Sequence, residues 1–289
     1  MTIFQSIIYG VVQGLTEFIP VSSTAHLRLL PAIMHWPDPG AAFTAVIQLG
    51  TVLAVLIYFW KDLSAAFIGW VRSFTGDKNT VEARTGWAVF YATIIIAVVA
   101  KLLEKYIEGP FRSLYVVAGS MIVMAVLMYI ADSRKDNDRP IEAIQTTDGI
   151  KIGLWQCLAL IPGMSRSGSS ITGALFGGFD RRSAARLSFL MSVPAITLAG
   201  LYEGFKKYKE IADGMMTPTI IASIVSFVVG YACISWLINF LSTKGTKPFV
   251  AYRIVLGVLI LVLCATGTIN PDSNAKKADV PKETSTTSV

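Results

Sequence analysis

Charge is scarce in this sequence: Asp, Glu, Lys and Arg make up 15% of its 289 residues, against about 25% in soluble domains. With 53% hydrophobic residues and a mean hydropathy of +0.58, the chain cannot cover a water-facing surface, which excludes a soluble globular enzyme. Histidine is rarer still, with two in the whole chain, His26 and His35. The three cysteines, Cys157, Cys233 and Cys264, lie inside apolar runs without paired spacing, so neither a disulfide framework nor a zinc site is indicated. No basic residue precedes Arg28; the apolar start lacks the positive leader of a secretory signal and is expected to be retained. The net charge of +6 is spread over short connections, which gives nucleic acid no basic patch to bind and fits a cytoplasmic bias of Lys and Arg.

What is present is apolar sequence in long runs. A hydrocarbon core about 30 Å thick takes about 20 apolar helical residues. Uncharged stretches of that order occur at Pro39 to Trp60, Thr85 to Ala100 (extendable through Lys101 and Glu104 by snorkelling), Leu114 to Ala131, Leu187 to Tyr202, Gly214 to Thr243 and Ile254 to Pro271. Lys61 to Arg84, Lys101 to Ser113, Asp132 to Asp148 and the Lys206, Lys207 and Lys209 group read as connections. The connections at 61–84, 132–151, 181–186 and 244–247 are the more basic set and are expected on the cytoplasmic face. Residues 272–289 are polar and expected to be disordered.

Two further regions are apolar but broken. Met1 to Trp36 is interrupted by Glu17, Pro20 and Arg28, and Ile152 to Phe179 by Pro162, Gly163 and Arg166. Short apolar halves meeting at a proline, with charges at the break, fit re-entrant hairpins; a kinked full-length helix is the alternative. The two regions resemble each other: Q-G-L-T-E-F-I-P-V-S-S-T from Gln13 lies on Q-C-L-A-L-I-P-G-M-S-R-S from Gln156 with a one-residue adjustment. Three full spans follow each, and an odd number of crossings inverts the second copy. The fold expected is an all-α integral membrane protein with six full transmembrane helices plus two re-entrant helical hairpins in an inverted-topology repeat. It forms one domain, 1–271, with repeats at about 1–131 and 150–271. The second half of each hairpin then starts at the tip, and free N–H groups of two helix N-termini facing one spot make an anion site, phosphate being the common occupant.

The residues near the breaks carry the chemistry. Glu17 to His26 holds a carboxylate, three hydroxyls and an imidazole within ten residues, and ionisable groups at membrane depth mark functional sites. Gln13 and Glu17 share a helix face, as do Ser23 and His26 if helix resumes after Pro20; the break brings Glu17 back towards His26. Ser22, Ser23 and Thr24 are either N-caps or reacting hydroxyls. Pro162 to Ser170 supplies Gly163, Gly168, Ser165, Ser167, Ser170 and Arg166, the makings of a phosphate cradle with a bidentate guanidinium. Glu17 is the competing partner for Arg166. His35, beside Trp36 and Pro37, reads as structural. Gln48 and Thr51 read as helix-to-helix contacts, and Gly168, Gly173, Gly177 and Gly178 as a close-contact stripe.

The motifs G-V-V-Q-G-L-T-E-F-I-P-V-S-S-T-A-H-L and P-G-M-S-R-S-G, in this order, resemble those of the bacterial undecaprenyl-diphosphatase family of the bacitracin-resistance type, over about residues 3 to 267. The resemblance implies removal of the terminal phosphate of undecaprenyl diphosphate, which returns the monophosphate carrier to peptidoglycan and other envelope pathways. It also implies a multi-pass protein of the bacterial inner membrane, a double re-entrant fold with a site opening to the outer face, members that can form homodimers, and stimulation by a divalent cation such as Mg2+ or Ca2+. Glu17 matches the second acidic position of the family's Q/E-x-x-x-E element, and Gln13 fills the first, where many members have Glu; this weakens any metal site between two acids. Ser23, Thr24 and His26 match the first motif, and Ser165, Arg166 and Ser167 the core of the second. Ala25 stands where Gly is usual, and Ser170 where Thr is frequent.

The mechanism expected has Arg166, Ser165, Ser167 and tip amides clamping the diphosphate, with Gln13, Ser22, Thr24, Gly163, Gly168 and Ser170 completing the binding site. Ser23 attacks the terminal phosphorus, His26 is the acid/base, and Glu17 orients the imidazole; direct attack by His26 is the alternative. A polyprenyl-phosphate or anion transporter is the competing class, because inverted repeats with broken helices also build transporters.

Overall fold

The computed structural model describes residues 1–108, 110–206 and 214–271. The expected disordered tail at 272–289, and Lys207 and Lys209, lie outside the described residues. Within them the chain is helical, with one isolated bridge, between Arg139 and Phe179, and no named strand.

The first helix, α1, is Ile3–Phe18. The Thr2 side chain accepts from Gln5 N at 3.2 Å while the Gln5 side chain accepts from Thr2 N at 2.9 Å, a reciprocal cap. Pro20 ends the helix from the other side. A residue before proline is pushed out of the α region, and Ile19 has φ −59° and ψ 130°. Helix resumes as α2, Ser23–Met34, with the Ser22 side chain accepting from Ala25 N. The second half repeats the device. Helix α7, Thr146–Cys157, and a 3-10 turn at Leu158–Leu160 stop before Pro162; Ile161 has φ −86° and ψ 116°, and α8, Arg166–Phe176, starts under a Ser165 cap that accepts from Gly168 N. Helix α1 has 16 residues and α2, α7 and α8 have 11 or 12. At about 1.5 Å per residue, none of the four crosses a core of about 30 Å by itself.

The two breaks superpose in sequence more simply than their prolines imply. Ser22 and Ser165, 143 residues apart, are both caps and both adopt positive φ, 77° and 71°. No one-residue adjustment is needed: Gln13 falls on Gln156, and the first helical residue after the cap is Ser23 in one half and Arg166 in the other.

The remaining helices are α3, Gly40–Tyr58; α4, Trp60–Arg72; α5, Val81–Glu108; α6, Leu114–Asp132; α9, Arg181–Lys206; α10, Met216–Lys244; and α11, Lys247–Ala265. Among the described residues five, α5, α6, α9, α10 and α11, are long and apolar enough to cross a membrane; α3 and α4 reach that length and hydropathy only when taken together, across a bend of 81°. Three expectations change. The stretch from Lys61 is not merely connective, because Trp60–Arg72 is helical and its Trp70 ring packs on Trp87 and Phe90. Helix α5 runs through Lys101 to Glu108. The last span starts seven residues before Ile254 and ends at Ala265, because Arg253 lies inside the helix with its charge fully partnered.

Helix α1 packs most extensively on α10, and α7 on α5; α6 pairs with α11, and α3 with α9 and α10. The first arm of each broken region therefore lies against a helix of the opposite half. Small residues allow it, as between helices in lipid. A Cβ on Gly10 would come within 2.6 Å of the Ala222 carbonyl on α10, and one on Gly153 within 2.7 Å of the Ala92 Cα on α5. These two glycines are also 143 residues apart. Of the expected glycine stripe, Gly173 serves contact with Trp155, whereas Gly178 turns the chain at φ 81°. Gly10→Leu and Gly153→Leu are each expected to destabilise the fold by about 1–3 kcal/mol through overpacking, read as a lowered unfolding midpoint of the purified protein in detergent.

Candidate active site

The helix breaks gather side chains from both halves. Glu17 lies in the last turn of α1 and is 6% exposed. Its Oε2 accepts from Gln13 Nε2 at 2.9 Å, one turn earlier, and from Ser23 Oγ at 2.8 Å across the break. Its Oε1 accepts from Arg166 Nη2 at 3.0 Å. The run Ser23, Glu17, Arg166 thus joins residues 149 apart in sequence, with the two ion-pair side chains 5% and 11% exposed. Ser23 and Arg166 are the first helical residues of α2 and α8, so both stand at helix N-termini, where free N–H groups and the dipole favour an anion. Arg166 Nη1 reaches the Ser188 carbonyl at 3.5 Å, while its Nε is buried without an acceptor. A buried guanidinium N–H with no partner is costly, and a phosphate oxygen would satisfy it.

The serines of the second break are mainly architectural. Ser165 Oγ accepts from Gly168 N at 3.1 Å and lies 3.1 Å from Ser167 Oγ. Ser170 Oγ donates to the Arg166 carbonyl at 2.7 Å and meets Ser188 Oγ of α9 at 2.6 Å, so it braces α8 against α9. Gly163 has φ 98°, and a Cβ there would strike the Val117 carbonyl and Ser120 Oγ. In the first break Ser22 caps α2, and Thr24 is exposed.

The expected link between Glu17 and His26 does not form. Glu17 is bonded to Ser23, Gln13 and Arg166, whereas His26 Nδ1 is 2.8 Å from the Ser22 carbonyl and Nε2 is 2.6 Å from the Tyr252 hydroxyl. His26 still belongs to the site, since it follows Ser23 by three residues and shares its face. Thr51 Oγ1 donates at 2.6 Å to the backbone carbonyl of Gln48 within α3. His35 caps α2 in the left-handed conformation, a structural position as expected.

Arg253 and Tyr252 went unrecognised in the sequence reading. Arg253 is 0% exposed and donates to four carbonyls: Met121 from Nε at 3.2 Å, Pro20 from Nη1 at 3.1 Å, and Gly163 and Met164 from Nη2 at 2.7 and 3.2 Å. It therefore ties the turn at Pro20 to the turn at Gly163. The signal was available, for a charge inside an apolar run marked Arg166 and applies equally to Arg253; trimming the span to begin at Ile254 hid it. Lys has a single point of charge and cannot span this set of acceptors. Arg253→Lys and Arg253→Met are each expected to cost about 3–5 kcal/mol, the range for breaking a buried charge arrangement, measured by thermal unfolding in detergent beside turnover.

The chain is similar to known proteins over nearly its whole length. The undecaprenyl-diphosphatase of Myxococcus xanthus is 46% identical over 98% of this chain and 96% of its own. That of Pelodictyon phaeoclathratiforme is 44% identical over 94% of this chain and 100% of its own, and undecaprenyl-diphosphatase 2 of Streptomyces coelicolor 45% identical over 94% and 98%. The family profile described as bacitracin resistance protein BacA matches residues 6–259, and the chain belongs to that family.

Proposed function

We propose that this chain is a phosphatase of the bacterial cell membrane that hydrolyses undecaprenyl diphosphate to undecaprenyl phosphate and inorganic phosphate, recycling the lipid carrier for cell-wall synthesis, with the cluster at the two breaks as its hydrolytic centre. Relatives named for this activity match the chain nearly end to end. The observation that carries the centre is the hydrogen-bonded run from Ser23 through Glu17 to Arg166. In this reading α1–α2 and α7–α8 are re-entrant hairpins of opposite polarity within one domain, 1–271. The exchanged contacts of α1 with α10 and of α7 with α5 support an inverted repeat.

The chemistry follows from the contacts. The terminal phosphate draws Arg166 away from Glu17 Oε1 and receives its Nη2 and the unpartnered Nε, while the first N–H groups of α2 and α8 face the remaining oxygens. Ser23 Oγ attacks the terminal phosphorus as its proton passes to Glu17 Oε2, 2.8 Å away. The bond from that phosphorus to the bridging oxygen breaks, and undecaprenyl phosphate leaves with the electron pair. Water then attacks the phosphoserine with His26 as base, and Glu17 returns the proton to Ser23. Direct attack by His26 is the weaker reading, because Ser23 and not His26 is hydrogen-bonded to the Glu17 carboxylate. Transport of a lipid phosphate would need Arg166 and the amides but not a hydroxyl hydrogen-bonded to a carboxylate, so the Ser23–Glu17 pair favours hydrolysis.

A divalent cation, expected from the family, would have Glu17 and the phosphate oxygens of the substrate as its donors rather than a protein cage. Among the described residues no three His, Cys, Asp or Glu side chains gather to hold one, and Glu17 already accepts from three donors. No step is routed through a metal.

Purified protein in detergent, without any gradient, is expected to release phosphate from undecaprenyl diphosphate; binding without release would leave transport as the function. Ser23→Ala is expected to lower kcat on the order of 10³-fold or more, as loss of an attacking group does elsewhere. His26→Ala should cost about 10²–10⁴-fold, the range for a general acid/base. Normal turnover in Ser23→Ala with loss in His26→Ala would transfer the attack to His26. Gln13→Glu places a second carboxylate beside Glu17, and phosphate release by that variant is expected to fall further on chelation with EDTA than release by the parent.

A further inference from the structure

The imidazole of His26 is held from both sides. Its Nδ1 lies 2.8 Å from the Ser22 carbonyl oxygen, and a carbonyl only accepts, so Nδ1 carries the proton. In the neutral ring Nε2 is then the acceptor, and the Tyr252 hydroxyl, 2.6 Å away, is the donor. The phenol also lies against the imidazole, with centroids 5.6 Å apart and planes 7° from parallel. Two independent features preset this contact. Ser22 turns its carbonyl towards the ring from a positive φ of 77°. Arg253, next in the chain to Tyr252, is committed to four carbonyls of α6 and the two breaks, so the backbone carrying the phenol is fixed relative to α2. Tyr252 is 46% exposed, and the neighbouring Thr24 is exposed as well. The phenol is therefore partly open on the side away from the imidazole.

We infer that Tyr252 is a positioning residue for His26: its hydroxyl and ring keep the imidazole in one plane with the proton on Nδ1 and the lone pair of Nε2 aimed outward, until the reacting water takes the place of the phenol. The inference rests on the hydrolytic reading of the Ser23 centre. In the second step the water oxygen forms a bond to phosphorus as its proton moves to Nε2. The bond from Ser23 Oγ to phosphorus breaks, its electron pair stays on Oγ, and Oγ takes the proton held by Glu17. The opposite tautomer, with the proton on Nε2, has no lone pair there and cannot accept from that water. The Ser22 carbonyl, which can only accept, excludes it, and Tyr252 donates to the lone pair that this leaves on Nε2.

The test is 15N NMR of the imidazole in the full chain in detergent, with His35→Asn leaving one histidine. The expected spectrum has Nδ1 protonated and Nε2 unprotonated, with Nε2 displaced upfield as a hydrogen-bonded lone pair. Tyr252→Phe keeps the ring but removes the donor; Nε2 should move downfield to the value of a free lone pair. In phosphate release the same variant should lose about tenfold in kcat with KM nearly unchanged, equivalent to about 1.4 kcal/mol. Tyr252→Leu, lacking the ring as well, should lose more. A proton on Nε2 before any Tyr252 substitution overturns the inference even if the variants fail to fold, and so does a Tyr252→Phe protein with an unmoved Nε2 resonance and full turnover. If the parent releases no phosphate, the hydrolytic reading fails, and the Nε2 resonance still decides whether Tyr252 holds the ring.

Discussion

Everything at the site depends on how two interrupted helices satisfy their backbone away from water. A break at Pro20 and another at Pro162 leave carbonyls to which no helix N–H donates, and away from water each unsatisfied group costs several kcal/mol. Arg253 answers both breaks at once, giving its N–H groups to Pro20 on one side and to Gly163 and Met164 on the other, with Met121 of α6 as the fourth acceptor. A buried charge would ordinarily be a liability. Here the carbonyl dipoles solvate it, and in return it fixes the distance between two turns that lie more than a hundred residues apart in the chain.

With the turns fixed, the electrostatics of the centre follow. Helices α2 and α8 begin where the turns end, so their first residues, Ser23 and Arg166, meet on one carboxylate, Glu17. That carboxylate is shared between a cation and a hydroxyl. A phosphate that competes for Arg166 frees one oxygen of Glu17 and leaves the other in contact with Ser23. Anion binding and activation of the hydroxyl are thus consequences of one displacement. The repeat also accounts for an asymmetry: the same position after the cap is Ser23 in one copy and Arg166 in the other, so under the proposed mechanism one motif supplies both the attacking hydroxyl and the anion receptor.

Much of this was legible in the sequence, for identifiable reasons. Proline between short apolar runs announced both breaks, and the scarcity of charge made Glu17 and Arg166 conspicuous; the pairing of those two was weighed as a competing contact and is the one that forms. The partner of His26 was misread because spacing along α1 and α2 says which residues share a face but not how sharply the chain turns at Pro20. Tyr252 and Arg253 were missed because spans were delimited by charge, a rule that fails wherever a guanidinium finds carbonyls inside the fold. Helix α4 was missed for a related reason: Lys61, Asp62 and Arg72 ended the apolar count, although the face carrying Ala66 and Trp70 still packs on α5.

The most direct test of the central claim, that the two breaks form one phosphoryl-transfer centre, is an experimental structure of the protein with orthovanadate. The account predicts five-coordinate vanadium bonded to Ser23 Oγ, with Arg166 withdrawn from Glu17 Oε1 onto a vanadate oxygen. Vanadium bonded to His26, or seated away from Arg166 while the Glu17 ion pair stays intact, would contradict it.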